Sequence, residues 1–127
     1  MKYINNKLLI DKISVDRIIK TFGTPVYCYS YKQIKENILK FQKNFIKTKP
    51  LICFAVKANN NIRILSEIGK LGLGADVVSK GELLAALKSK IKPKKIVFSG
   101  VGKTYDEIMF ATKKNILLIN AESKSEI

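Results

Sequence analysis

Beyond residue 50 the apolar and polar positions fall into two alternating textures. Short apolar runs stand at Leu51–Val56, Ala75–Val78, Ile96–Phe98 and Ile116–Ile119. The first, "LICFAV", has no polar partner in its alternation and reads as a strand buried on both faces, the pattern of a parallel sheet. The stretches between the runs have helical periodicity. Ile64, Leu65, Ile68 and Leu71 share one face of a helix that "GLG", Gly72 to Gly74, brings to an end. A second helix runs from about Gly81 to Lys90, turns Leu83, Leu84, Leu87 and Ile91 inward, and has Pro93 beyond its end. A third opens at Thr104, where Glu107 three residues on completes a capping box, and it carries Ile108, Met109 and Ala111 before Lys113 and Lys114.

Residues 1–50 have a different character. Ile13 to Phe22 has helical spacing through Ile18, Ile19 and Phe22, "GTP" breaks it at Gly23 to Pro25, and Val26–Tyr29 reads as a short strand. Ser30 is placed to cap a helix that continues to about Phe45, with Ile34, Ile38, Phe41 and Phe45 on one stripe. These aromatic and aliphatic side chains are expected to form core, not a ligand box.

Strand followed by helix, four times over, implies parallel pairing through right-handed crossovers, either in an open doubly wound sheet or in part of a (β/α)8 barrel. The dinucleotide fingerprint G-x-G-x-x-G does not follow the first strand; Asn60 and Asn61 stand there instead, which favours the barrel. Barrel enzymes draw their site groups from the carboxyl ends of strands. Polar and glycine residues recur at those ends: Lys57, Ala58 and Asn59 after the first strand; Asp76 within the second, with Ser79, Gly81 and Glu82 after it; "SGVGKT", Ser99 to Thr104, after the third; Asn120 and Glu122 after the fourth. Loops are polar in any protein, so each position alone is ambiguous. Asp76 is more pointed, because a carboxylate inside an apolar strand needs a cationic or hydrogen-bond partner, and Lys57 at the end of the neighbouring strand is within reach.

Composition narrows the chemistry. The 127 residues are 46% hydrophobic, enough for a core, with no apolar run near the roughly 20 residues of a membrane span and no signal-peptide pattern at "MKYINNKLLID". A cytoplasmic location is the expectation. Cys28 and Cys53 lie in apolar runs without CxxC spacing and read as buried free thiols. The net charge is +14, yet of 24 basic residues only Arg17 and Arg63 are arginine, and the lysines are scattered from Lys2 to Lys124. Base readout and bidentate phosphate contacts favour arginine, so specific nucleic-acid binding is not expected, whereas salt-sensitive adsorption to polyanions is. Without any histidine, His-based triads and most catalytic zinc sites are excluded.

The segments "FGTPVYCYS", "ICFAVKANNN", "GLGADVVSKGEL", "IVFSGVGKT" and "ILLINAES" occur in order along this chain. Together they resemble the N-terminal part of the diaminopimelate decarboxylase family, within the alanine-racemase-like fold type of pyridoxal-phosphate enzymes. "AVKAN" alone is also similar to ornithine and arginine decarboxylases, which supply the alternative reading. The resemblance implies a partial pyridoxal 5'-phosphate-binding (β/α)8 barrel, about its first four βα units, over residues 32–127, with residues 1–31 leading into it. It implies that Lys57 forms the Schiff base with pyridoxal 5'-phosphate, a reaction that burial assists by favouring the neutral amine. Asp76, Ser79 and Glu82 match polar family positions around this mouth, as cofactor-binding or loop-holding groups. The implied substrate is meso-diaminopimelate, decarboxylated to lysine in a homodimer. "GVGKT" lacks the full P-loop spacing and is not read as a nucleotide site. The family's later strands, its histidine and its C-terminal β-domain have no counterpart here, so the chain is expected to behave as a decarboxylase cut short, inactive alone; a non-catalytic remnant or interaction module is the other reading.

Overall fold

The computed structural model describes residues 1–127, and it begins with elements that the apolar pattern does not announce. Lys2–Ile4 (β1), Lys7–Ile10 (β2) and Ile13–Ser14 (β3) form a three-stranded antiparallel sheet. Ile4 pairs with Lys7 and Ile10 with Ile13, so each connection is a two-residue turn. Asn5 and Asn6 in the first, and Asp11 and Lys12 in the second, all have positive φ, as tight hairpins whose turn must match the strand twist require. Val15–Phe22 (α1) follows, capped by Ser14, whose Oγ accepts from the Arg17 N–H, and it stops at Gly23 with φ 75°. Tyr31–Lys43 (α2) is capped by Ser30, which accepts from the Gln33 N–H at 3.0 Å and donates to the Asp11 carboxylate at 2.7 Å.

Two expectations fail in this region. Val26–Tyr29 forms no strand, and the side chains read as core are not buried: Phe22, Phe41 and Phe45 are exposed, and no residue from Met1 to Pro50 is buried. Met1–Asn44 is a compact unit by itself, and one of that size has too little interior to enclose large aromatics.

The second compact unit, Phe45–Ile127, contains the alternating βα pattern. Cys53–Ala55 (β4), Gly74–Val77 (β5), Ile96–Phe98 (β6) and Leu118–Ile119 (β7) form one parallel sheet. The helices Ile62–Lys70 (α3), Lys80–Lys88 (α4) and Tyr105–Lys113 (α5) connect them. The spatial order β4-β5-β6-β7 is the chain order. A doubly wound sheet reverses its strand order at a switch point; strands laid down one after another make an arc of a barrel.

The strand register separates the two faces of the sheet. Phe54, Ala75 and Ile96 lie side by side, as do Val77, Phe98 and Ile119. This face packs against Leu65, Leu83, Ala86 and Ala111 of the helices, and Ala75, Val77, Ile96 and Phe98 are fully buried. On the other face Ala55, Asp76, Val97 and Leu118 form a row that is half-buried or exposed. The first strand is therefore covered on one face only within this chain, not on both. Gly74 marks a close approach: a Cβ there would stand 2.1 Å from the Lys95 carbonyl oxygen and 2.9 Å from Cys53 Sγ. No helix is long and apolar enough to cross a membrane.

Candidate active site

At the carboxyl ends of β4 to β7 the sheet brings together most of the polar strand ends. β4 runs directly into a 3-10 turn, Val56–Ala58, so Lys57 sits on a turn and not on the strand. Val56 is fully buried and Lys57 is exposed, one residue later, so the burial expected to favour its neutral amine is not found in this chain. Ala55 pairs with Asp76, which puts Lys57 two residues beyond the neighbour of that carboxylate, toward the carboxyl end. Asn59 and Asn61 shape the loop beyond: Asn59 Oδ1 accepts from the Asn61 N–H at 3.0 Å, and Asn61 Oδ1 accepts from the N–H groups of Arg63 and Ile64 to cap α3.

Asp76 is not paired with Lys57. Its Oδ1 accepts from Ser99 Oγ at 2.6 Å, and Ser99 Oγ in turn accepts from Asn120 Nδ2 at 3.0 Å. Alternation along the strands explains the row: Asp76 and Val97 are register partners, Ser99 lies two residues beyond Val97, and Asn120 lies two residues beyond Leu118. Three strand ends thus present a carboxylate, a hydroxyl and an amide on one face. The single hydroxyl proton of Ser99 goes to Asp76, so the carboxylate is held as an acceptor. Because Asp76 is only half-buried, a hydroxyl serves as its partner and no ion pair is needed.

Ser79 and Glu82 have structural employment. Ser79 caps α4, its Oγ accepting from the Glu82 N–H at 3.2 Å, while Glu82 Oε2 accepts from the Val78 N–H at 2.9 Å. Together they fix the turn from β5 into α4.

Two further links were missed by sequence reasoning. Glu107 completes the anticipated capping box with Thr104 and also accepts from the Lys80 N–H at 2.8 Å, tying the first turn of α5 to the first turn of α4. These backbone donors, Lys80 first and then Thr104, hold the Glu107 carboxyl below the usual carboxylate range. Lys103, in the loop after β6, has a fully buried side chain; its ammonium donates to the Gly100 carbonyl and pairs with Glu126 Oε2 at 3.0 Å. The Glu122 N–H, and then Lys103, hold the Glu126 carboxyl low. A capping box has a sequence signature; a lysine buried against a glutamate 23 positions later has none.

The thiols also differ from expectation: both cysteines are free, but Cys28 is exposed and Cys53 half-buried. Burial, and then the charge of Asp76, push the Cys53 thiol up, which disfavours the reactive thiolate at this first residue of β4.

Residues 31–127 match the family model described as pyridoxal-dependent decarboxylase, pyridoxal binding domain. The chain belongs to this family. Among its relatives, the diaminopimelate decarboxylase of Aquifex aeolicus is 44% identical over 127 residues, which are all of this chain and 30% of that protein. A crystal structure of diaminopimelate decarboxylase from M. jannaschii superimposes with TM-score 0.95 at 37% identity, covering 98% of this chain and 30% of that one. The Helicobacter pylori enzyme, solved in complex with L-lysine, superimposes with TM-score 0.84 at 49% identity, covering 87% and 28%. The chain thus spans about 30% of the length of the decarboxylase relatives it matches. The family's barrel accounts for the monotonic strand order: β4 to β7 are four consecutive strands of it.

Proposed function

We propose that the chain serves as the pyridoxal-binding portion of a diaminopimelate decarboxylase, with Lys57 as the residue that holds pyridoxal 5'-phosphate. The observation that carries this reading is the position of Lys57: an exposed amine one residue beyond a fully buried strand exit, at the carboxyl end of a parallel sheet in a chain similar to named diaminopimelate decarboxylases. The residues fit the group. A carbonyl-bearing cofactor needs a primary amine that it can reach, and no carboxylate lies within ion-pair distance of Lys57, whose chain has ion pairs only at Lys32–Glu36, Lys70–Glu67 and Lys103–Glu126.

When bound, pyridoxal phosphate supplies an electron sink for the pair released as a carboxylate leaves as carbon dioxide. The chain's own side chains would do the rest, with Lys57 as the amine that would hold the cofactor until a substrate amine takes its place. Asp76, oriented by Ser99 and through it by Asn120, places a hydrogen-bond acceptor on the sheet face next to the strand from which Lys57 emerges. Ser79 and Glu82 hold the β5–α4 turn in shape and support the site through that turn. The reaction forms lysine and carbon dioxide from diaminopimelate, a proton taking the place of the carboxylate. Catalysis belongs to the complete enzyme, as a homodimer; ornithine or arginine as substrate is the alternative, which a substrate panel on the complete enzyme separates.

The test is chemical. The 127-residue chain is incubated with pyridoxal 5'-phosphate, reduced with borohydride and digested, and the modified lysine is located by mass spectrometry. Modification concentrated at Lys57, and lost as a dominant product in Lys57→Arg, is the expected result. Labelling spread over the exposed lysines in proportion to their exposure overturns the assignment.

A further inference from the structure

Lysines that are scattered along the sequence are gathered in space. The segment from Leu87 to Lys95, "LKSKIKPKK", lies between α4 and β6, and "ATKKNIL", Ala111 to Leu117, lies between α5 and β7; neither contains an acidic residue. Both precede neighbouring parallel strands, so both lie at the amino end of the sheet, opposite the end at which Lys57 emerges. A hydrogen bond from Lys94 Nζ to Asn115 Oδ1 joins the two segments directly. Lys88, Lys90, Lys92, Lys94, Lys113 and Lys114 are all exposed.

Most acidic groups of this unit lie toward the other end: Glu82, Asp106, Glu107, Glu122 and Glu126 follow a strand or open a helix at the carboxyl end and Asp76 lies within β5, whereas Glu67, in the last turn of α3, pairs with Lys70 at 2.6 Å. Helix dipoles account for part of this, because acidic first turns and basic last turns are each stabilising. They account for Lys88 and Lys113 at the last turns of α4 and α5. Lys90, Lys92 and Lys94 lie beyond the helix, where that effect has faded, and they add positive charge for which the helix dipole does not account.

We propose that this amino-end surface is a docking site for the phosphodiester backbone of duplex nucleic acid, engaged without reading sequence. The patch consists of lysines with no arginine, so it supplies strongly hydrated point charges for phosphates and no bidentate fork for guanine. Its exposed side chains include no aromatic ring on which an unpaired base could stack, which favours a duplex over a single strand. The surface is independent of the assignment of Lys57, which lies at the opposite end of the strands.

The experiment measures binding of the 127-residue chain to a mixed-sequence 20-base-pair duplex by fluorescence anisotropy, across 50–300 mM salt. Replacing Lys88, Lys90, Lys92 and Lys94 together by glutamine is expected to weaken binding at 50 mM salt at least about 100-fold and to flatten the log–log salt slope by about 3 to 4. A control with the same charge change, K2Q/K7Q/K35Q/K40Q in the N-terminal unit, is expected to leave the slope within about 1 of the parent. Because Lys94 bonds to Asn115, a second variant, K88Q/K90Q/K113Q/K114Q, avoids that contact and is expected to lose binding to the same degree. Equal losses in patch and control variants would mean adsorption by net charge and overturn the proposal. So would tighter binding to polyglutamate than to the duplex, or a salt slope near zero in the parent.

Discussion

Replacing Glu107 by glutamine isolates the link between the starts of α4 and α5. In the native chain Oε1 accepts from the Lys80 N–H at 2.8 Å, and Oε2 accepts from the Thr104 N–H at 3.1 Å and from Thr104 Oγ1 at 3.2 Å. Glutamine keeps the shape but has one acceptor oxygen, so its NH2 must face one of the two backbone N–H groups. A hydrogen bond to a charged group contributes about 1.5–3 kcal/mol when buried. Glu107 is half-exposed and water replaces part of what is lost, so the expected cost is about 1 kcal/mol. For a chain of this length that lowers the midpoint of thermal unfolding by about 4 °C. The pH dependence has a definite sign. The folded-state carboxyl titrates below its unfolded value of about 4.3, so its stabilisation is complete above that pH and is lost as pH falls through the lower folded value. Thermal unfolding of native and E107Q chains, followed by circular dichroism from pH 3 to 7, should show a constant gap above about pH 5 that closes toward pH 3. A gap that persists at pH 3 would refute the ionic account of this link.

Two further substitutions probe the sheet and its carboxyl end. Gly74→Ala places a Cβ 2.1 Å from a backbone carbonyl that cannot rotate away, so its cost should exceed the usual overpacking range of about 1–3 kcal/mol; a urea midpoint equal to that of the native chain would contradict the packing. For the Lys103–Glu126 pair, removing the acid strands a fully buried ammonium, whereas removing the base leaves Glu126 with the Glu122 N–H. Glu126→Ala should therefore lower the unfolding midpoint more than Lys103→Met, and the reverse order in a thermal melt would show that the pair is not what orders the loop.

The βα pattern was legible because each signal was local and redundant. Apolar runs mark the strands, and Asn61, Ser79 and Thr104 cap the helices between them, in one case with a complete capping box. The run at Leu51–Val56 gives a strand of only Cys53–Ala55, and that at Ile116–Ile119 gives Leu118–Ile119, because pairing partners and not hydrophobicity set strand ends. The β1-β2-β3 sheet was illegible for a different reason. Its turns are Asn5-Asn6 and Asp11-Lys12, which adopt positive φ without the glycine that usually signals a tight hairpin, and its strands are too short to show alternation. Phe22, Phe41 and Phe45 misled because periodicity reports which residues share a face, not whether anything covers that face.

The candidate site divides along the same line. Lys57 could be found from sequence because a charge closing an apolar strand is a one-dimensional anomaly. The partner of Asp76 could not, since a carboxylate within a strand demands a partner without naming it. Of the two kinds of partner open to it, cation or hydrogen-bond donor, the strand register selects the donor. Ala55 lies beside Asp76, and the chain turns immediately afterwards, so Lys57 leaves the sheet one step beyond the carboxylate. On the other side β6 continues straight, and the pleat returns Ser99 to the face that Asp76 occupies, with Asn120 behind it on β7. The consequence is chemical as well as geometric. A lysine held protonated in a tight ion pair would be slow to react with a carbonyl, and here the carboxylate is tied to a hydroxyl and not to Lys57.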